Sequence, residues 1–198
     1  MPHTLNGATR VHFIVGDPIA QVKSPAGVTE TFQSQGTNAF VMPAHVRPAD
    51  LQTWAQGVTL AQNVDGIIVT VPHKFASFDL CKTASSSAQF LRAVNTLRRN
   101  ADGSWHGDMF DGLAFVKAMR EQGCDPMAKR ALLVGAGGAG SAIAHALVTA
   151  GVSELAIHDE DNTRRSSLIT RLNSLNLCPV SDGSADPSGF QIVINATP

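Results

Sequence analysis

Two patterns of hydrophobic and polar positions alternate along the chain. Short apolar runs rich in β-forming residues predict strands, the first over Val11–Val15, where a Gly-Asp-Pro turn closes it. Longer stretches with helical spacing predict helices, such as Pro25–Gln35 with Ser24 as its N-cap. The predicted elements of the first half are strands over 11–15, 39–43, 64–71, 95–99 and 104–107, and helices over 25–35, 48–56, 75–81 and 85–91. This alternation predicts a three-layer α/β unit with a parallel-rich sheet.

The second half begins with a predicted helix over 111–122, which carries Leu113, Val116 and Met119 on one face and is expected to bridge two domains. Strands over 131–134, 154–158 and 191–195 and helices over 141–150 and 163–175 follow. We therefore expect an N-terminal α/β domain over 1–110 and a Rossmann-type domain over 111–198. A doubly wound sheet that stopped at residue 198 would lack strands, so we expect the natural protein to continue and this Rossmann domain to be truncated at its C-terminus.

A glycine-rich turn, GAGGAG at 135–140, joins a predicted strand to a predicted helix. The GxGxxG pattern is weak alone, but this context is typical of a dinucleotide site. The first glycine permits a tight turn, the second lets the backbone approach a pyrophosphate, and the third allows close helix–strand packing. The helix N-terminus supplies N–H groups and partial positive charge for the phosphates. The predicted cofactor-binding residues of the turn are Gly135, Gly137, Gly138, Ala139 and Gly140; a βα turn without a ligand is the alternative.

The end of the next strand bears on the choice of cofactor. Asp159 follows Gly135 by 24 residues, close to the spacing of a carboxylate that accepts hydrogen bonds from the adenosine ribose. With Glu160 and Asp161 it forms an anionic patch that would repel a 2′-phosphate. The sequence therefore favours NAD. Arg164 and Arg165 keep NADP open, since either could contact a phosphate, although a solvated helix start is their simpler interpretation.

Composition and charge exclude several function classes. A net charge of −1 gives no basic field for nucleic acid or an anionic membrane, and no run approaches the roughly 20 apolar residues of a membrane span. Residues 1–15 lack the pattern of a secretory signal. Three cysteines without a CxxC pair indicate reduced thiols and a cytoplasmic protein. The seven histidines and the cysteines show no metal-ligand spacing, and the absence of tyrosine excludes a Tyr-x-x-x-Lys catalytic pair.

Four segments of the first half occur in an order that resembles the shikimate dehydrogenase family. GDPIAQVKSP at 16–25 resembles its G-x-P-I-x-x-S-x-S-P loop, and VTVPHK at 69–74 resembles its V-T-x-P-x-K signature. AVNT at 93–96 and GDMFDG at 107–112 are similar to its A-V-N-T and G-D-N-T-D-G segments. The glycine-rich turn follows, and NATP at 195–198 resembles a stretch that continues into further Rossmann strands in the family. Together these matches span the whole chain.

The resemblance implies that Lys74 and Asp111 are the catalytic pair. Oxidation of a secondary alcohol requires a proton to leave the hydroxyl as hydride leaves the carbon, and an amine close to that oxygen can exchange the proton. A neighbouring carboxylate would hold the lysine and titrate with it. Taken singly, Lys74 could be solvated surface and Asp111 a helix cap. The resemblance also implies that Thr70 and Asn95 bind substrate hydroxyls and that Ser24 binds the substrate carboxylate.

The chain departs from the family pattern at three positions. Val22 stands where the family has its other carboxylate-binding serine, and a lost hydrogen bond to a charged group costs about 1.5–3 kcal/mol. Met109 and Phe110 replace a polar Asn-Thr pair, which makes the cleft rim bulkier and more apolar. These changes indicate a divergent paralogue, and they leave quinate or an aminoshikimate as candidates beside shikimate.

The sequence thus predicts an oxidoreductase that transfers hydride between a nicotinamide cofactor and the ring hydroxyl or ketone of shikimate or a related ring acid. The expected partner is a small-molecule substrate, without nucleic acid or membrane, and a homodimer is allowed. A low-turnover metabolite- or dinucleotide-binding regulator and a methylenetetrahydrofolate dehydrogenase-like enzyme are the alternatives. The three substitutions motivate the regulator, whereas retention of Lys74 and Asp111 argues against it.

Overall fold

The chain folds into two compact units that divide between Met109 and Phe110. The computed structural model describes residues 5–197. His3 and the last residue of the NATP segment, which entered the sequence predictions, lie outside the described residues. The first unit contains strands β1 (Arg10–Gly16), β2 (Ala39–His45), β3 (Val64–Val69), β4 (Cys81–Ala84), β5 (Thr96–Arg99) and β6 (Trp105–Asp108), and helices α1 (Ser24–Ser34), α2 (Leu51–Leu60) and α3 (Ser86–Leu91). The second contains helices α4 (Asp111–Glu121), α5 (Gly138–Thr149) and α6 (Asn162–Asn173), and strands β7 (Arg130–Val134), β8 (Glu154–His158), β9 (Val180–Asp182) and β10 (Ile192–Asn195).

The sheet of the first unit has the order β2-β1-β3-β5-β6-β4. Strand β1 runs parallel to β2 and β3, whereas β5 runs antiparallel to both β3 and β6. The carboxyl ends of β1, β2, β3 and β6 and the amino end of β5 therefore meet at one edge. The core of the first unit includes Ile14, Val15, Ile67 and Leu97, each at most 2% exposed. Loops that leave this edge can bring together residues far apart in the sequence.

Arg99, at the end of β5, ties helix α2 to the sheet. Its guanidinium donates hydrogen bonds to the backbone oxygens of Thr59 at 3.1 Å and Ala61 at 3.1 Å, at the C-terminal end of α2. It also donates to the Val64 oxygen at 2.7 Å and lies 4.9 Å from the ring centre of Trp105. Carbonyls that end a helix lack partners within it, so one charged side chain satisfies several of them here.

His12 on β1 is a half-buried titratable group in the first unit. Its ring centre lies 4.8 Å from that of Phe32 on α1, and a side chain at Gly66 would come within 2.8 Å of it. Its Nδ1 is buried and makes no hydrogen bond to any described residue. Burial lowers the pKa of His12, against the opposing attraction of Asp65. The neutral ring is therefore the form that this site favours.

The second unit has a four-stranded parallel sheet in the order β10-β7-β8-β9. Counted within the unit, this is the 4-1-2-3 arrangement of a doubly wound Rossmann half, with the reversal of strand order between β7 and β10. Helix α4 packs on α5 through Gly112, where a Cβ atom would overlap the backbone oxygen of Ala142. This sheet and the α/β unit before it confirm the predicted fold class.

The buried face of α4 differs from the predicted one. Val116 is buried as expected, but Leu113 is 62% exposed and Gly112 is buried in its place. The close approach to Ala142 explains the difference, because the absence of a side chain at Gly112 lets the helix turn this narrow stripe towards α5. An apolar side chain alone therefore did not identify the packed face.

Several element boundaries also differ from those predicted. The predicted helix over 75–81 is a short 3₁₀ turn, Ala76–Leu80, and Cys81 begins strand β4 instead. Strand β9 was not predicted. Helix α5 begins at Gly138, three residues earlier than predicted, because the glycine-rich turn itself forms the first helical turn. The predicted cap of α1 is wrong: Lys23 precedes the helix with no side-chain cap, and Ser24 is its first residue.

Candidate functional site

Two of the predicted substrate-binding residues, Thr70 and Asn95, and the predicted catalytic residue Lys74 lie on neighbouring segments at the carboxyl edge of the first sheet. Thr70 directly follows β3, and Lys74 lies four residues further along the same loop. The amide of Val94 donates a hydrogen bond to the Lys74 backbone oxygen at 2.9 Å, and the amide of Val69 donates to the Asn95 oxygen at 2.7 Å. Thr70, Lys74 and Asn95 are all partly buried. The segments that carry the lysine and the asparagine are thus directly joined.

The loop that carries Ser24 starts at the same edge. A Cβ atom at Gly16 would overlap Thr70 Cγ2, so the first turn of this loop lies directly against the Thr70 segment. The Asp17 amide donates to the Val71 backbone oxygen at 3.0 Å. Further along, Val22 lines a cavity of about 500 Å³ together with Ile19, Ala20, Lys23, Pro25, Ala26 and Pro43. Apolar groups therefore dominate the surface where the family pattern has a serine.

The remaining predicted catalytic residue belongs to the second unit. Asp111 is the first residue of α4, and Phe110, which precedes it, provides no side-chain cap. Gly112 fixes this end of α4 against Ala142 of α5, the helix that starts in the glycine-rich turn. Of the two apolar replacements, Met109 is buried, whereas Phe110 is 45% exposed. Only Phe110 adds apolar surface accessible to solvent.

The glycine-rich turn has the geometry that a dinucleotide requires. Gly135 has a φ of +102°, which favours glycine, and its amide donates to the His158 oxygen at 2.7 Å. A Cβ atom at Gly140 would overlap the Gly135 oxygen, so the helix can approach the strand only with glycine there. A Cβ atom at Gly137 would meet nothing within 4 Å. The backbone at the start of α5 is thus open to an approaching phosphate, and these residues fit a pyrophosphate group.

Asp159 lies at the end of β8, beside this turn. Its Oδ2 accepts a hydrogen bond from the Ala136 amide at 2.6 Å, and its Oδ1 accepts one from the Asp161 amide at 2.9 Å. Partial burial acts to raise the pKa of Asp159, but these hydrogen bonds and the nearby Arg164 bring it below its ordinary value. The side chain is therefore an anchored, ionised carboxylate at the position expected for contact with the adenosine ribose.

The two arginines near Asp159 differ in their contacts. Arg165 donates to the Asp159 backbone oxygen at 2.7 Å and pairs with Asp182 at 2.8 Å, and its side chain is 17% exposed. Arg164 lies 3.8 Å from Asp159 and 3.3 Å from Asp161, with a side chain 47% exposed. Arg164 is thus the more accessible cation at this end of the sheet.

His73 was not singled out from the sequence, although it stands between Pro72 and Lys74. It is 1% exposed, and its Nε2 lies 2.8 Å from the Val46 backbone oxygen, 27 residues away. The available signal was a polar ring inside the VTVPHK segment, but its partner could not be read from the sequence.

Residues 5–197 contain no cluster of three or more metal-ligating side chains. None of the helices in that range is long and apolar enough to cross a membrane.

Comparison with known proteins identifies the family. The model of the shikimate dehydrogenase substrate-binding domain matches residues 14–97, and the ThiF family model matches 113–172. A shikimate dehydrogenase (NADP(+)) from Rubrobacter xylanophilus is 34% identical over 197 residues, which cover 98% of this chain and 69% of that protein. The chain belongs to the shikimate dehydrogenase family. It spans about two thirds of the length of the curated relatives it matches.

Solved structures agree with this assignment. Shikimate 5-dehydrogenase from Listeria monocytogenes, in complex with shikimate and NAD, superposes with a TM-score of 0.88 at 25% identity, covering 100% of this chain and 71% of that one. A 5-ketofructose reductase of Gluconobacter sp. strain CHM43 superposes with a TM-score of 0.81 at 26% identity, covering 96% and 69%. Both NADP(+) and NAD thus occur in the names of relatives.

Proposed function

We propose that the protein is a nicotinamide-dependent oxidoreductase that interconverts a ring hydroxyl and a ring ketone on shikimate or a related ring acid such as quinate or aminoshikimate. The observation that carries this proposal is the joining of the Lys74 loop to Asn95 at one sheet edge, in a chain of this family. In this proposal the first unit binds the substrate and the second binds the dinucleotide.

The chemistry divides among a few side chains. When bound, the nicotinamide supplies or accepts the hydride. Lys74 exchanges a proton with the substrate oxygen as that oxygen becomes or ceases to be a carbonyl. Asp111, the first residue of α4, is the second catalytic residue that the family resemblance implies. Thr70 and Asn95 donate and accept hydrogen bonds with ring hydroxyls, and Ser24 binds the carboxylate.

The dinucleotide is assigned to the second unit. The amides around Gly137 and the start of α5 would hold the pyrophosphate, with Gly135, Gly138, Ala139 and Gly140 shaping the turn. Asp159 would accept hydrogen bonds from the ribose hydroxyls, which supports NAD as the preferred cofactor. NADP remains an alternative that Arg164 could serve, since its side chain is accessible.

Val22 supports a second candidate substrate class. Without the serine hydroxyl, and with an apolar cavity beside it, the loop offers less to a carboxylate. The Gluconobacter relative is named for 5-ketofructose, a polyhydroxy ketone without a carboxylate. Reduction of such a neutral ketone would use the same proton-transfer residues.

Steady-state assays test both candidates. The protein is assayed with shikimate, quinate, aminoshikimate and 5-ketofructose, each with both cofactors in the appropriate redox state. Turnover of a ring acid that is lost in Lys74→Met supports the first candidate, and exclusive turnover of 5-ketofructose supports the second. Val22→Ser should improve KM for the ring acids alone. If the native protein turns over none of these substrates and Lys74→Met still binds them, the chain is a regulatory paralogue and the enzyme proposal fails.

The remaining expectations about partners and location are also proposals. A small molecule is the expected partner, without nucleic acid or membrane, and a cytoplasmic location follows from the unpaired cysteines. Light scattering on the purified protein distinguishes a homodimer from a monomer.

A further inference from the structure

Three loops at the carboxyl edge of the first sheet are joined in a closed circuit of hydrogen bonds. The Val46 amide donates to the Gly16 backbone oxygen at 3.2 Å. The Thr70 amide donates to the Val15 oxygen at 2.9 Å, and the His73 amide donates to the Thr70 oxygen at 3.0 Å. The circuit closes where Nε2 of His73 lies 2.8 Å from the Val46 oxygen. All of these groups are backbone atoms except the imidazole.

The imidazole of His73 must donate in this contact. A backbone carbonyl can only accept, so Nε2 carries the proton. His73 is 1% exposed and Val46 is 8% exposed, so water cannot easily replace the ring if it is removed. A buried carbonyl left without its donor is destabilised, and the loop would shift to find another partner.

Lys74 follows His73 directly and shares its anchoring. On the far side, the Val94 amide donates to the Lys74 backbone oxygen at 2.9 Å, and the Ser77 amide donates to the His73 oxygen at 2.8 Å. The backbone from which the Lys74 side chain extends is therefore held at both ends. At the His73 end, the imidazole bond to Val46 adds to the two backbone bonds and ties this segment to the loop after β2.

We propose that His73 is a positioning residue, whose hydrogen bond to Val46 fixes the backbone of Lys74 relative to the loop after β2, which is in turn bonded to Gly16. The inference rests on the proposed function, in which Lys74 exchanges a proton with the substrate. Proton transfer depends on donor and acceptor lying within hydrogen-bond reach, and a displacement of about 1 Å can cost about a hundredfold in rate. The imidazole thus acts through Lys74 without touching the substrate.

Matched substitutions of His73 test the proposal in the protein. His73→Phe keeps the ring shape but removes the donor, and should lower kcat about tenfold to a hundredfold while the dinucleotide Kd stays unchanged. His73→Gln places an amide N–H near the position of Nε2 and should restore most of kcat. His73→Asn is too short to reach Val46 and should behave like His73→Phe. Ser77→Ala, a buried change in the same segment, is the control and should leave kcat and KM unchanged.

Two results overturn the proposal. One is a His73→Phe enzyme that loses thermal stability but keeps kcat and KM, since this is what a purely structural role predicts. The other is an equal loss of kcat in His73→Gln and His73→Asn, a comparison that remains available if His73→Phe does not fold.

Amide hydrogen exchange separates this inference from the proposed function. Exchange at Val46 and Thr70 should accelerate in His73→Asn and not in Ser77→Ala, whether or not a substrate is turned over. Unchanged exchange would refute the circuit itself. If Lys74→Met keeps full activity while exchange accelerates in His73→Asn, the proposed role of Lys74 is refuted and the circuit of hydrogen bonds stands.

Discussion

Replacing Asp159 with asparagine should shift cofactor preference from NAD towards NADP. The substitution retains one side-chain oxygen, which can accept from the Ala136 amide as Oδ2 does at 2.6 Å, and it replaces Oδ1, which accepts from the Asp161 amide at 2.9 Å, with an NH2 group. What it removes is the negative charge. Because the glycine-rich turn keeps its hydrogen-bond partner at Ala136, the variant changes the charge that faces the cofactor with little effect on that turn, and the lost bond lies at Asp161.

Two contributions set the expected magnitude. Loss of a charge-assisted hydrogen bond to the ribose costs about 1.5–3 kcal/mol, which raises the Kd for NAD about 10- to 150-fold. Two unit charges about 6 Å apart repel by about 3 kcal/mol at an effective dielectric constant of about 20. Removing the carboxylate charge relieves this repulsion towards a 2′-phosphate, so the Kd for NADP should fall. Arg164 would lose its contact with Asp159 at 3.8 Å and keep its pair with Asp161 at 3.3 Å.

Fluorescence or calorimetric titration of both cofactors measures the change, with Asp161→Asn as the matched control. Asp161 caps α6 by accepting from the Arg164 amide, and asparagine is an equally good cap, so this control keeps the cap and removes a neighbouring charge together with its exposed ion pair to Arg164. Its effect on the NADP to NAD ratio should be several times smaller. An equal loss of affinity for both cofactors in Asp159→Asn, or a loss confined to NADP, would refute the assignment of Asp159 to the ribose.

Three other substitutions test the packing and the titrating groups. Gly112→Ala should destabilise the protein by about 3 kcal/mol and lower kcat, because the added methyl group meets the backbone of α5. Gly57→Ala is the control: the space around Gly57 is open, so this variant should be more stable by about 0.5–1 kcal/mol in urea denaturation. Arg99→Ala should lower the free energy of unfolding by about 3 kcal/mol, because the carbonyls at the end of α2 lose their donor. Arg98 is the exposed neighbour, and Arg98→Ala should change the free energy of unfolding by less than about 0.5 kcal/mol. Burial lowers the folded-state pKa of His12, so its contribution to the free energy of unfolding is complete above the unfolded pKa of about 6.5 and is lost as the pH falls below it. His12→Phe should flatten that decline of stability, and an unchanged slope against pH would contradict the assignment.

Local chemistry explains what could be predicted. The conformation of the glycine-rich turn could be predicted because it needs glycine at particular positions. Gly135 has a positive φ, and a side chain at Gly140 would clash with the Gly135 oxygen. Thr70 and Asn95 were assigned by the family resemblance alone, and β5, which runs antiparallel to β3, brings the start of one strand to the end of the other. For the glycine-rich turn, the determining information lies within a few residues of the feature.

Pairings between distant segments explain what could not be predicted. Cys81–Ala84 forms a strand because it pairs with β6, more than 20 residues later, whereas its own apolar spacing resembled the end of a helix. The packed stripe of α4 depends on Gly112 meeting Ala142, and a missing side chain leaves no apolar signal. The partner of His73 lies 27 residues earlier and is a backbone oxygen, which any residue type could provide.

The hydrogen-bond circuit and the side chains of the loop after Gly16 are separate, which explains how this chain can diverge in substrate and keep its chemistry. The circuit through Gly16, Val46 and His73 is built from backbone atoms and one ring, so it does not depend on the side chains that follow Gly16. Val22 lies outside it, on a loop whose first turn the circuit holds. A hydroxyl can therefore be lost at Val22, with a change in which substrate is bound, while the backbone of Lys74 stays in place. Substitutions in that loop should accordingly act on KM and selectivity, whereas changes in the circuit should act on kcat.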